Sequence, residues 1–536
     1  MTSARRTPTT VAPPLHLTAF TALAALMALA ATNCKAAGAD VGLSKDADQK
    51  PIDVPVPAAD GPKLVAARPR VPVLQRPEPG SPQLGELSVG ALVARSPEPY
   101  SRKGCAAGWY AVRPRGFVCA SDGATLRVEL APLLPAAPDL ARPLPYRYGR
   151  ARTQGTPAYP FLPDAAAIGD AEPDLSRHLA KAPERADALL GASANDVPLD
   201  DRGVPTGPPI LLPTGDGIGD DGKRTEASFF TFTAAAARHA APLVPLPLLG
   251  GDLAAKPVAL RKGSGVAVTR SVTVPGPGEG EARRFGVTPD GRLVPTDRLQ
   301  AALGATWHGI DLDKVGLPLA FVHRYDVHTF HLARGKATET DEEIERHAPV
   351  PLTGRFRTVD AVRYEEARDG YWLRAEDLLV IVKRTKLPEF AKGTQRWLDI
   401  SLANQTLTAY EGPKPVYATL IASGRDQLQD PATTASTARG VFRVRSKHVT
   451  RAIDPREVQE SFDVADAPWV MEFEPGFALT GMYWSDAVGE PRTFHDVVLA
   501  PIDARRLFAW TEPALPEGWH AVTSGEGEGT IVNVRP

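Results

Sequence analysis

Trp397-Leu398-Asp399-Ile400-Ser401-Leu402-Ala403-Asn404-Gln405-Thr406-Leu407-Thr408-Ala409-Tyr410 is the stretch from which the rest of the chain is read. Two strand-like runs flank an Asn-containing turn, the pattern of a β-hairpin. Val416-Tyr417-Ala418-Thr419-Leu420-Ile421-Ala422-Ser423-Gly424 and Gly440-Val441-Phe442-Arg443-Val444 continue it, so the chain beyond about Thr394 is strand-rich. One short helix is expected over Ile502 to Trp510, with Asp503 near its start and apolar residues recurring at Leu507, Phe508 and Trp510.

In order and nearly without gaps, these segments, together with Asp466-Ala467-Pro468-Trp469-Val470-Met471 and Pro516-Glu517-Gly518-Trp519-His520, resemble the catalytic domain of the YkuD-type L,D-transpeptidases. The resemblance spans Thr394 to Val522, within a domain assigned to residues 394–525, and implies a β-sandwich-like fold. Members of that family cut an amide of a peptidoglycan stem peptide through a cysteine thiolate, leaving a thioester that an acceptor amine resolves. Such chemistry needs a nucleophile of depressed pKa, a histidine for its proton and backbone donors for the oxyanion.

Carried over position by position, the resemblance implies a degenerate site. Leu479-Thr480-Gly481-Met482-Tyr483-Trp484 places Thr480 where the family has its upstream histidine and keeps Gly481. In Arg492-Thr493-Phe494-His495-Asp496-Val497, Thr493 matches the family's hydroxyl, Phe494 its catalytic histidine, His495 its glycine and Asp496 its cysteine. No cysteine follows Cys119, so no thioester can form there. A carboxylate is a poor substitute because attack on an amide would give a mixed anhydride, and a phenyl ring accepts no proton. Tyr483, Trp484 and Arg492 are the residues expected at the vacated ligand cleft, the two aromatics fitting equally a place in the core.

Upstream, Gly108-Trp109-Tyr110-Ala111-Val112 and Gly116-Phe117-Val118-Cys119 belong to a small all-β unit over residues 63–130 that resembles bacterial SH3-like domains. Cys105 and Cys119 flank a short strand-rich segment of it, and in an exported chain a disulfide between them is expected. A glycine turn, a short strand and an acidic or polar turn occur at Arg115–Cys119 and recur at Asp290–Asp297 and Asp369–Asp377, making residues 257–390 β-rich, with further SH3-like elements and plain β-rich spacers both left open. Between them, residues 131–256 are Pro- and Ala-rich and expected to be irregular, apart from a short helix at Pro183 to Leu190. The Gly215 to Gly222 run lacks the terminal glutamate of a calcium loop. His323, His328 and His331 cannot all face one ion from one strand, so no metal is assigned, and no cofactor.

The fold class expected is therefore mainly β: one or more SH3-like barrels and a C-terminal sandwich-like domain with a short helix. Proline accounts for 53 of 536 residues, against an average usage of about 5%, which favours linkers and short strands over helical bundles. Arg5 and Arg6 before the apolar run Leu17 to Ala31 read as an export signal over residues 1–33, followed by a tether over 34–62. Cys34 stands where a lipoprotein signal places its lipidated residue, leaving a lipid anchor or a plain signal peptide open. The formal net charge of −2 supplies no field for nucleic acid. The location expected is the cell envelope or periplasm. The expected partners are peptidoglycan stem peptides or glycan, or other wall enzymes, held without catalysis. The alternatives are a family enzyme with altered hydrolysis or acyl transfer through His495 and Asp496, and an adhesion module without a wall ligand.

Overall fold

The hairpin forms in register, with the strand Arg396–Ser401 antiparallel to Thr406–Glu411 so that Trp397 faces Tyr410 and Ile400 faces Leu407. Gln405 takes the left-handed conformation at the turn, φ 49°. Its side chain fixes the turn, donating to the Leu402 carbonyl at 2.6 Å and to Ser423 Oγ at 2.7 Å. This computed structural model describes residues 54–181, 193–208, 256–275 and 282–536, and among these the protein is mainly β. The export signal, Cys34, the Pro183–Leu190 helix and the Gly215–Gly222 run lie outside the described residues.

Alternation divides the hairpin's faces. Leu398, Ile400, Leu407 and Ala409 point inward, to a core shared with Trp469, Met471, Phe473, Leu479, Val497, Leu499, Leu507 and Phe508. Trp397 and Tyr410 stack on the opposite face at 4.2 Å. The hairpin is central in a six-stranded sheet, where the last strand, Ile531–Arg535, lies parallel to Arg396–Ser401. Opposite it runs the second sheet, and the helix Pro501–Trp510 packs against that core with Ala504, Leu507 and Phe508. The helix begins one residue before its expected start, with proline in the first turn where a missing N–H does no harm. Its C-terminal carbonyls are met by buried Lys447, whose Nζ donates to Phe508 and, at 2.8 Å, to Thr511.

The second sheet has nine strands and does not end with this domain. After Trp519–Thr523 it continues through Gln83–Leu87, Val71–Leu74, Phe117–Cys119 and Trp109–Ala111. Residues expected as two separate units, 63–130 and 394–525, thus share one ladder, with Gly85 opposite Val522 and Leu87 opposite Trp519. A β-carbon at Gly85 would lie 2.1 Å from the Ala521 carbonyl oxygen and 2.6 Å from the Trp519 ring, so only glycine permits the approach. Trp519, 1% exposed, belongs to the N-terminal core with Leu64, Val73, Leu87, Tyr110 and Val118. Cys105 and Cys119 form a disulfide in that unit.

The stretch expected to be irregular, 131–256, carries the strands Arg147–Ala151 and Thr156–Ala158 and the helices Ala165–Ala171 and Leu175–Ala180. The partners of those strands come from beyond it: Arg147–Ala151 lies between Gly265–Val268 and Leu299–Ala302, and Thr156–Ala158 pairs with Val258–Leu260. A local pattern cannot reveal such pairing, because each strand is short and its mate lies far along the chain. A buried ion network ties the helices to the strands. Arg283, 1% exposed, donates to both oxygens of Glu172 at 2.7 Å and to Asp297 at 3.0 and 3.1 Å. Residues 319–381 add a seven-stranded sheet.

Candidate functional site

The positions singled out in the sequence lie around two parallel strands. Phe477–Gly481 and Val497–Leu499 pair with Leu479 opposite Val497 and Gly481 opposite Leu499, so the segment 493–496 enters the second strand beside the first. Thr480 is fully buried, its hydroxyl 3.4 Å from the Pro468 carbonyl. Gly481 is held to its type by close packing, since a β-carbon there would come within 3.0 Å of Pro468 O and 3.1 Å of Ala504 Cβ. Thr493 donates from Oγ1 to the Asp496 carbonyl at 2.6 Å, closing the loop on itself.

Within that loop three consecutive backbone N–H groups converge on one carboxylate. Phe494 N lies 2.8 Å from Glu457 Oε2, His495 N 2.7 Å from Oε1, and Asp496 N 3.2 Å from Oε2. Such a concave run of amides is an anion site, because the aligned N–H dipoles present partial positive charge to one point. Glu457 reaches it from the short 3₁₀ turn Pro455–Val458, whose N-cap Asp454 accepts from Arg456 N at 2.9 Å. Sequence reasoning did not single out Glu457. Asp-Pro-Arg-Glu reads as a helix start with a carboxylate at its third position, a motif that predicts a reach back to the cap and says nothing of a contact with a distant loop.

The side chains of the loop point apart. Asp496 is 5% exposed and accepts a bond at Oδ1 from Ala478 N at 2.9 Å. Burial first, then the neighbouring Glu457 carboxylate, pushes its pKa well above the usual carboxylate range, which favours its protonated form. Glu457 is itself raised, by burial against the pull of the three amides. His495 lies with its ring stacked on Phe477 at 4.5 Å and tilted on Phe494 at 4.1 Å. Burial lowers its pKa. No hydrogen bond joins His495 to the Asp496 carboxyl among the described residues. Phe494 lies under two guanidinium groups, Arg456 at 4.3 Å and Arg425 at 5.6 Å.

The residues expected at a ligand cleft differ in burial and partners. Tyr483 is 3% exposed and stacks on Tyr148 at 4.0 Å, filling a core with Tyr146, Val458 and Val470. Trp484 is half-buried, edge-on to Tyr483 at 5.1 Å. Arg492 is exposed and paired to Glu490 at 2.6 Å. Of the three histidines clustered in the sequence, His323 meets the Glu376 carbonyl and His328 the Thr340 carbonyl, on different parts of the seven-stranded sheet. No group of three or more His, Cys, Asp or Glu side chains suited to a metal ion occurs among the described residues.

No family model and no curated protein matches this chain. Solved structures of L,D-transpeptidases match it in part. A cysteine-to-serine mutant of the Enterococcus faecium L,D-transpeptidase is 18% identical, over 26% of this chain and 50% of that one, with a TM-score of 0.20. The Xylanimonas cellulosilytica L,D-transpeptidase (residues 123–326) is 19% identical, over 28% and 65%, with a TM-score of 0.20. The Mycobacterium smegmatis L,D-transpeptidase is 15% identical, over 34% and 77%, with a TM-score of 0.21. This chain therefore spans between half and two thirds of the first two. Among the described residues no helix is long and apolar enough to cross a membrane.

Proposed function

We propose that this is an exported cell-envelope protein whose C-terminal domain, built on an L,D-transpeptidase-like plan, binds peptidoglycan or positions other wall enzymes without catalysing transfer. The observation that carries the non-catalytic reading is the Glu457 carboxylate seated on the amides of Phe494, His495 and Asp496. An acyl-transfer site needs such amides free for the oxyanion and a nucleophile beside them. Here an internal carboxylate already satisfies them, and the side chain at the nucleophile position is a buried carboxyl whose pKa is raised. The wall-binding half rests on the ordered resemblance of residues 394–525 and on the SH3-like character of residues 63–130.

The test is retention of the full chain on purified sacculi, with stem-peptide products followed by mass spectrometry in the same tube. Retention without new cross-links or released D-alanine is the expected result. Product formation lost in Asp496→Ala would overturn the non-catalytic reading, and absence of retention would overturn the wall-binding one.

A further inference from the structure

A cavity of about 520 Å³ lies away from the 493–496 loop, where three parts of the chain meet. The N-terminal β unit contributes Arg70, the middle region Tyr146, Asp290 and Arg292, and the C-terminal domain Asp466 and His520. Its remaining walls are largely apolar, with Val89, Leu260, Val266 and Val294 among them. That size, with apolar walls and a few convergent polar groups, matches the sites that hold small molecules.

The charges in it are unevenly satisfied. Arg292 donates from Nε to Asp290 Oδ2 at 3.1 Å, while its Nη1 is buried without a partner among the described residues. Arg70 is exposed, stands in left-handed backbone at φ 57°, and its guanidinium makes no hydrogen bond or ion pair among the described residues. Asp466 accepts a single side-chain bond, from Thr450 Oγ1 at 3.0 Å. Burial raises its pKa to about 6, while Arg70 pulls the other way. The two opposite charges therefore sense one another across the cavity without forming an ion pair. His520 donates from Nε2 to the Thr450 carbonyl at 2.8 Å. Burial lowers its pKa to about 4, so the ring is neutral and brings no competing charge.

We propose that this cavity is a binding site for a small zwitterion with an apolar body, a free amino acid or dipeptide, whose carboxylate pairs with Arg70 and whose ammonium pairs with Asp466. Charge-assisted bonds at both ends give the selectivity, and the aliphatic wall takes the side chains. The site is independent of the reading given to the 493–496 loop.

Calorimetric titration of the full chain at neutral pH with L-alanyl-L-leucine, its N-acetyl derivative and its C-terminal amide tests this. Saturable binding of the free dipeptide, weakened about tenfold or more by either cap, is expected. Arg70→Gln should weaken the free dipeptide to the level of the amide and leave the amide unchanged. Asp466→Asn should do the same with respect to the acetylated form. Arg70 is exposed, so its variant decides the matter even where Asp466→Asn fails to fold. No saturable binding of the free dipeptide up to about 10 mM, equal binding of free and capped forms, or indifference to Arg70→Gln would overturn the proposal.

Discussion

The Trp519 indole donates its Nε1–H to the Arg113 carbonyl at 3.0 Å, across a sequence separation of 406 residues. Trp519 lies on a strand of the C-terminal domain, yet its ring completes the core of the N-terminal β unit, so that unit lacks its full core without the C-terminal domain. Trp519→Ala is expected to destabilise the protein by about 3–5 kcal/mol. Gly85→Val should lose stability through forced separation of the ladder, by about 1–3 kcal/mol or more. Limited proteolysis would show the N-terminal unit released first in both variants, and thermal melts would give the loss.

The disulfide between Cys105 and Cys119, 14 residues apart, closes a loop in that same unit. Cys105→Ser with Cys119→Ser should cost about 3 kcal/mol through greater freedom of the unfolded chain. Denaturant titration of the oxidised protein against the double variant measures it.

Arg283 is the cation on which Glu172 and Asp297 both depend. Arg283→Met removes one charge partner from each of two buried carboxyls, leaving Glu172 with Arg298 and Asp297 with His178, and should cost up to about 3–5 kcal/mol. The Asp297 pKa is lowered to about 2: burial opposes the shift, but the bonds from His178 and Arg283 outweigh it. A depressed carboxyl stabilises the fold above its unfolded pKa of about 4, and that contribution is lost as pH falls toward about 2. Acid denaturation of the variant should therefore begin from a lower plateau and slope less over this range.

Lys447 acts in the same direction at the alkaline end. Burial lowers its pKa to about 7, whereas an unfolded lysine titrates near about 10.4. Between roughly pH 7 and 10 the unfolded chain holds the extra proton, so stability attributable to this residue rises with pH across that window. Lys447→Met should flatten the slope in melts recorded over that range.

Asp496, raised by burial and by Glu457, favours the folded state while it is protonated. Its stabilising share is present below an unfolded pKa of about 4 and declines as pH rises toward the higher folded value. Asp496→Asn keeps an acceptor for Ala478 N and carries no charge, so it should match the parent near about pH 4 and exceed it in melting temperature near about pH 8. A variant less stable than the parent at both pH values would contradict a raised pKa at Asp496.

Local grammar was enough for part of this. The alternation in Trp397–Tyr410 specified a hairpin and which residues face inward, because a strand's period of two ties each side chain to one face. The recurring glycine turns at Gly116, Gly291 and Gly370 all take positive φ, with short strands after each, as their sequence phrase implied. Other features were not legible. Glu457 looked like an ordinary helix-start carboxylate, Tyr483 fitted a cleft or a core equally, and the strands of residues 131–256 were too short to read without their distant mates.

The sequence by itself determined the mainly β character, the hairpin, the helix near Ile502 and the absence of a cysteine after Cys119, since these depend on residue type and nearest neighbours along the chain. Only the tertiary structure decided that Gly85 and Trp519 weld the two ends into one sheet, that Glu457 sits on the amides of residues 494–496, and that Arg70 and Asp466 face one cavity. Each of those is a meeting of groups dozens to hundreds of residues apart, set by sheet pairing and core packing, and no local periodicity encodes which distant strand a strand will choose.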